Sequence, residues 1–166
     1  MADGGASSFI FLTTALLVSG LVSIVLINQW GDMAKASQDQ TRAMEVDQAT
    51  SLGFAGDPMM VAYDDTAVPN DEMTFYLQNT GTTLLDTSTL VVLVDGTTVS
   101  SSITTSLIPA AGTEWDSDHL VEVTVNSSSW SYTNGTDVSL TVIVSSEVTN
   151  GYRGTDTISL EVRLYG

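Results

Sequence analysis

Residues 9–27 read FIFLTTALLVSGLVSIVLI, a run of 19 whose only polar side chains are Thr and Ser. Asp3 and Asp32 bound it, with no charged residue between them. At about 1.5 Å per helical residue the run is close to the roughly 30 Å of a bilayer's hydrocarbon core. The rest of the chain is too small to wrap every face of such a helix in a soluble core. The pattern predicts a helix that lies in a membrane or at the centre of an assembly. Residues 1–5 carry no Lys or Arg, and INQW at 27–30 is a poor cleavage site. The segment is therefore expected to stay in place rather than leave as a secretory signal.

The helical pattern continues past the apolar edge. Residues 28–51 contain no Pro and one Gly, Gly31, and are rich in Ala, Gln, Met and Asp. Asp39, Arg42 and Glu45 follow at steps of three, so neighbouring pairs can meet on a helix surface. Trp30 stands where an interfacial aromatic belongs. We expect an N-terminal segment of residues 1–52, with an apolar part at 9–27 and a polar continuation at 28–52.

Then the period changes. Gly53, Gly56 and the Asp57-Pro58 pair break the helix, since Pro lacks an amide donor and restricts the residue before it. Residues 72–79 alternate Met73, Phe75 and Leu77 against Thr74, Tyr76 and Gln78. Residues 90–94 are an apolar run ending in Asp95-Gly96, a two-residue hairpin signal, with 99–103 as the expected return strand. Residues 120–125 and 137–144 read as strands, with Asn134-Gly135 as the turn between them. Asn150-Gly151 leads into a last strand with Ile158, Leu160, Val162 and Leu164 inward. Period-two alternation on this scale gives each sheet one wet face, which requires two sheets packed face to face. The expected fold is mainly β with one long N-terminal α-helix: an immunoglobulin-like β-sandwich head, residues 53–166, on a hydrophobic helix.

Charge narrows the function. Twenty acids stand against four bases, Lys35, Arg42, Arg153 and Arg163. Fifteen of the acids lie from Asp57 onward against two arginines, a head charge of −13. Nucleic-acid binding rests on Lys and Arg neutralising phosphates, so this surface excludes it. The same acidity suits a domain exposed to high salt, where repulsion is screened. There is no cysteine, which removes disulfides, thiolate metal sites and Cys nucleophiles.

Catalytic parts are scarce. His119 is the only histidine, and no G-x-S-x-G, P-loop, Rossmann or H-E-x-x-H pattern occurs. No cofactor is implied, and the expectation is a protein that is not an enzyme. Glu114, Asp116 and Asp118 recur at period two, so an extended backbone would present three carboxylates to one side as a candidate Ca²⁺ site. A solvated acidic surface is the alternative reading of the same residues. Asn126 and Asn134 open N-x-S/T sequons beside expected strands and agree with an extracytoplasmic head. On the apolar helix, Ala15, Ser19 and Ser23 stand at four-residue steps with Gly20 alongside, a small-residue face that would let helices approach closely.

Residues 77–85, LQNTGTTLL, and 90–96, LVVLVDG, resemble the archaellum accessory proteins G and F, in which a strand enters an N-T-G turn and then a V-L-V-D-G hairpin. Gly56-Asp57-Pro58 is more similar to protein G than to protein F. The resemblance covers the helix and residues 57–96. It implies a type IV pilin-like, non-enzymatic structural component of the archaellum motility machinery. The helix would lie in membrane or filament core, and the head would anchor or assemble outside the cytoplasm, in the pseudo-periplasm or the filament. Implied partners are copies of itself or related pilin-like subunits, the archaellum motor or platform, or a surface-layer protein. The same architecture serves an archaellin or adhesive pilin subunit, or a membrane-tethered binding module. Residues 1–5 lack the basic residues those families place before the processing site, which favours an accessory protein over a major archaellin.

Overall fold

The computed structural model describes residues 4–67, 69–99, 103–110 and 112–166. The expected processing region at 1–5 lies outside them in part, as do residues 100–102 of the expected return strand. The chain divides after Arg42 into two compact units, the helix up to that point and Ala43–Gly166.

Helix α1 spans Gly4–Ala49 without a proline. Its apolar and polar halves form one continuous element, as the sequence pattern requires. No basic side chain stands in its last turn to oppose the negative end of the helix dipole. The terminal carbonyls are met instead by main-chain amides of the head. Thr82 N donates to Ala49 O at 2.8 Å, and the Thr50 hydroxyl turns back to Val46 O at 2.8 Å. The chain then leaves the helical path.

Among the described residues nine strands follow: β1 Leu52–Ala55, β2 Val61–Asp64, β3 Asp71–Asn79, β4 Leu85–Val94, β5 Thr97–Thr98, β6 Ile103–Ile108, β7 Leu120–Ser127, β8 Asp137–Ser146 and β9 Thr155–Tyr165. They pair in the order β5-β4-β8-β9-β2-β3-β7-β6, with β1 also on β3. Two antiparallel groups, β5-β4-β8-β9 and β2-β3-β7-β6, are joined by a short parallel pair at Val61↔Leu164 and Ala62↔Tyr165. Taking β1 and β2 together as the first strand, this is the strand order of the immunoglobulin sandwich. The expected two sheets are thus one curled path, joined by β2 bridging from β3 to β9 and open at β5 and β6.

Alternation builds the core. Met73, Phe75 and Leu77 from β3, Val121, Val123 and Val125 from β7, and Val138, Leu140, Val142 and Val144 from β8 are all buried in a single cluster. On β9 Val162 and Leu164 are fully buried, while Ile158 and Leu160 are half-buried against the same core. Asp95 and Gly96 both adopt positive φ, 49° and 75°, as the hairpin signal requires. The return strand differs from expectation. β5 is only two residues long, and Val99 buries its side chain while its amide donates to Val92 O at 2.8 Å. Ile103 belongs to β6, which pairs with β7 and not with β4.

Candidate assembly surfaces of helix and head

The apolar half of α1 presents its large side chains outward. Phe11 is 78 % exposed and Ile27 70 %, far beyond what a solvated helix tolerates over so long a run. It is long and apolar enough to cross a membrane, by length and composition. Three of the four hydroxyls of residues 9–27 turn back onto the helix. Thr13 and Thr14 donate to Ile10 O at 2.9 and 2.8 Å, and Ser23 donates to Ser19 O at 2.8 Å. Those three groups therefore add little polarity to the surface the helix offers a neighbour.

The four small residues do not share one notch. Ala15 and Ser19 line a shallow depression with Phe11, Thr14 and Val18. Gly20 lines another with Thr13, Leu16, Leu17, Leu21 and Ile24. At about 100° per residue Gly20 lies roughly a quarter turn from Ser19, so the two depressions lie on different sides of the helix.

Within the second unit, the end of α1 is locked to the head by the N-T-G turn. Asn79 is fully buried, and its amide donates to Thr83 O at 2.7 Å and Trp115 O at 3.0 Å. Its Oδ1 accepts from Gly81 N at 3.0 Å. Thr80 N and Gly81 N donate to Ser51 O at 3.0 and 3.1 Å, and Thr80 Oγ1 donates to Ser51 Oγ at 2.9 Å. Gly81 is glycine because a Cβ would run into Ala49 O and stand 2.6 Å from Ser51 N. From the other side, Thr155 N donates to Asp47 Oδ1 at 3.1 Å and Leu52 N to Asp156 Oδ2 at 2.7 Å. The motif singled out in the sequence thus receives the last turn of the helix.

The head's two arginines are both committed to its own acids. Arg163 forks onto Asp137, with Nε to Oδ1 at 2.6 Å and Nη2 to Oδ2 at 2.8 Å. That pairing holds the Asp137 carboxyl below the usual carboxylate range. Arg153 reaches Asp86 at 3.3 Å. Burial, and then the hydrogen bond to Asp95, push the Tyr132 hydroxyl up to about 12. Burial and the bond to Asp71 raise Tyr63 as well. Strand β6 runs along the outer edge of its sheet, and residues 96–113 around it contain no charged side chain.

The candidate chemistry of the loop before β7 does not assemble. The extended run expected at Glu114, Asp116 and Asp118 is broken by a turn, in which His119 N donates to Asp116 O and Asp118 takes φ 64°. Among the described residues no three His, Asp or Glu side chains gather as a metal site. Trp115 is the structural residue of this segment. It is buried to 1 % exposure, bridges Leu85, and donates Nε1–H to His119 O at 3.0 Å. The period-two spacing of acids around a tryptophan was the available signal, since alternation that turns Glu114 and Asp116 outward turns Trp115 in. Asn126 is half-buried on β7 and accepts from Asn70 Nδ2 at 3.3 Å. Asn134 is exposed in the turn before β8, where its amide donates to Gly166 O at 2.9 Å.

An exposed apolar helix continuous with a β-sandwich head is a design for assembly, and comparison with known families agrees. The family described as archaeal-type flagellin matches residues 2–164, nearly the whole chain. The chain belongs to the archaeal-type flagellin family. No curated protein and no solved structure matches it. Membership makes this flagellin-family chain a structural component of the archaellum, built to assemble with copies of itself at the cell surface. The family is one of filament proteins and not of enzymes, in keeping with the absence of catalytic motifs from the sequence.

Proposed function

We propose that the chain is a filament-forming archaellum subunit whose α1 packs against copies of itself through residues 9–27 while its acidic head faces outward. The observation that carries this reading is the family match over 2–164 on a chain whose large apolar side chains at 9–27 are all exposed. Such a helix is stable only where lipid or other helices cover it. Before assembly the same segment holds the subunit in the membrane, with the head in the space beneath the surface layer.

A second reading, an accessory subunit of the G type, is favoured by one observation. The N-T-G turn and the V-L-V-D-G hairpin that carry that resemblance are both built as the motifs require, at Asn79–Gly81 and at Asp95-Gly96. In that role the head would contact the motor platform or a surface-layer protein, with few copies per machine. Quantitative mass spectrometry of sheared filaments against the membrane fraction separates the two. A subunit dominates the filament, whereas an accessory protein stays with the membrane in small number. Recovery in neither fraction would defeat both. Of the two sequons, Asn134 is the better glycan acceptor because it is exposed in a turn, and peptide mapping of the native protein reads its occupancy against that of Asn126.

A further inference from the structure

Between Asn28 and Met44 the helix carries four charged residues, Asp32, Lys35, Asp39 and Arg42, at steps of three, four and three. All four are exposed on continuous α-helix. At about 100° per residue they fall within an arc of roughly 80°, and the rest of the circumference is uncharged. Their signs alternate along that stripe, acid, base, acid, base. The acid-to-acid and base-to-base spacing is seven residues in both cases, about 10 Å of helix axis.

Such a stripe is complementary to itself only under a particular displacement. Two parallel copies in register set acid against acid and base against base. Slid by half a repeat, about 5 Å, each acid of one copy faces a base of the other. An antiparallel pair would also match charges, but it would place one copy's residues 9–27 beside the other's polar half. Since the apolar runs share one layer, the copies are parallel.

We propose that this stripe sets the axial register of helix packing: a second copy of this chain lies parallel to the first, offset by half the charge repeat. The proposal rests on the filament reading for the statement that copies pack at all. The apolar segment then supplies the adhesion and is tolerant of sliding, since its contacts are non-directional. The charged stripe supplies the stagger, as charged flanking positions set partner and alignment in coiled coils.

The test uses the full-length chain in lipid vesicles, with self-association read by chemical cross-linking. Lys35→Glu/Arg42→Glu makes the stripe wholly acidic, and Asp32→Lys/Asp39→Lys makes it wholly basic. Each alone is expected to lose self-association by about tenfold, since like charges replace pairs at every contact. An equimolar mixture of the two should return to the wild-type level, and the fourfold inversion Asp32→Lys/Lys35→Glu/Asp39→Lys/Arg42→Glu should associate as wild type. The chain has no native cysteine. Asn28→Cys mixed with Gly31→Cys should therefore form disulfides between copies faster than Asn28→Cys alone. Single-sign variants that associate like wild type, a mixture no better than its parts, or faster in-register disulfides would each overturn the proposal. Wild-type chain that fails to associate at all would instead sink the filament reading beneath it.

Discussion

The Asn79 side-chain amide donates to the Trp115 carbonyl oxygen at 3.0 Å, tying the end of β3 to a residue 36 positions further along the chain. Its remaining polar capacity goes to Thr83 O and Gly81 N, so one buried amide closes the loop that receives the helix. Asn79→Leu keeps the volume and strips Thr83 O of its partner, while Trp115 O still accepts from Leu85 N and Gly81 N still donates to Ser51 O. We expect a loss of about 1–3 kcal/mol in the unfolding free energy of the fragment 43–166, because an unpaired buried polar group costs about that much. Urea unfolding measures it. A loss near zero would show that water replaces the amide and that the turn is not a structural hub.

This hub was legible as a motif and opaque as a mechanism. The letters N-T-G stood out in the sequence, but their partners, Ala49, Ser51 and Trp115, lie far off in the chain and no local pattern names them. Strands β3, β7, β8 and β9 were legible because each buries one face over many residues, leaving a clean period of two. Strands β1 and β2 were not. Each is four residues long, and between them lie the breakers Gly56 and Pro58. Strand β6, ITTSLI, hides its period because its inward residues, Ile103, Thr105 and Leu107, are only half-buried at the sheet edge. Alternation could not be followed through Asp118 from the sequence, because the backbone enters the left-handed region there.

The glycine at 154 makes a second prediction about the same joint. A Cβ there would stand 2.7 Å from Val46 O and collide with the Thr50 side chain. Gly154→Ala must push the last helical turn away, at a cost of about 1–3 kcal/mol as for other overpacked sites. Amide hydrogen exchange around Ala49 should accelerate by at least about tenfold, equivalent to about 1.4 kcal/mol. Gly31→Ala is the matching control. Nothing lies within 4 Å of its added methyl, so it should stabilise the helix by up to about 1 kcal/mol.

Stability should fall at both ends of the pH scale, for different residues. Asp137 has its carboxyl held below the ordinary value of 3.8 by Arg163, so its contribution is present above that value and is lost as pH falls through the lowered one. Tyr132 is raised from 10.0 to about 12 in the folded state. The folded form therefore keeps a proton that the unfolded chain releases, and its contribution, present below pH 10, is lost as pH climbs towards 12. Arg163→Gln should flatten the acid limb of the urea midpoint against pH, and Tyr132→Phe the alkaline limb. Unchanged limbs in these variants would assign the pH dependence to other groups.

Assembly through the apolar helix gives the last prediction, and the structure makes it a clean one. Gly20 lies in a notch between Leu16, Leu17 and Ile24, with nothing within 4 Å of the position a Cβ would take. Leucine at this position is accommodated by the isolated helix and improves its intrinsic propensity by nearly 1 kcal/mol. Any loss of association in Gly20→Leu must then come from a neighbouring helix that needs the notch, and not from damage to this one. We expect cross-linked oligomers of the full-length chain to disappear while helicity and membrane insertion stay intact. Ser23→Ala should have no such effect, because the Ser23 hydroxyl already turns inward to Ser19 O and has nothing further to offer a partner. If Gly20→Leu assembles as wild type and Ala15→Leu does not, the face that packs is the one formed with Phe11, Val18 and Ser19. If neither changes assembly, helix packing does not depend on close backbone approach, and the large side chains alone make the contact.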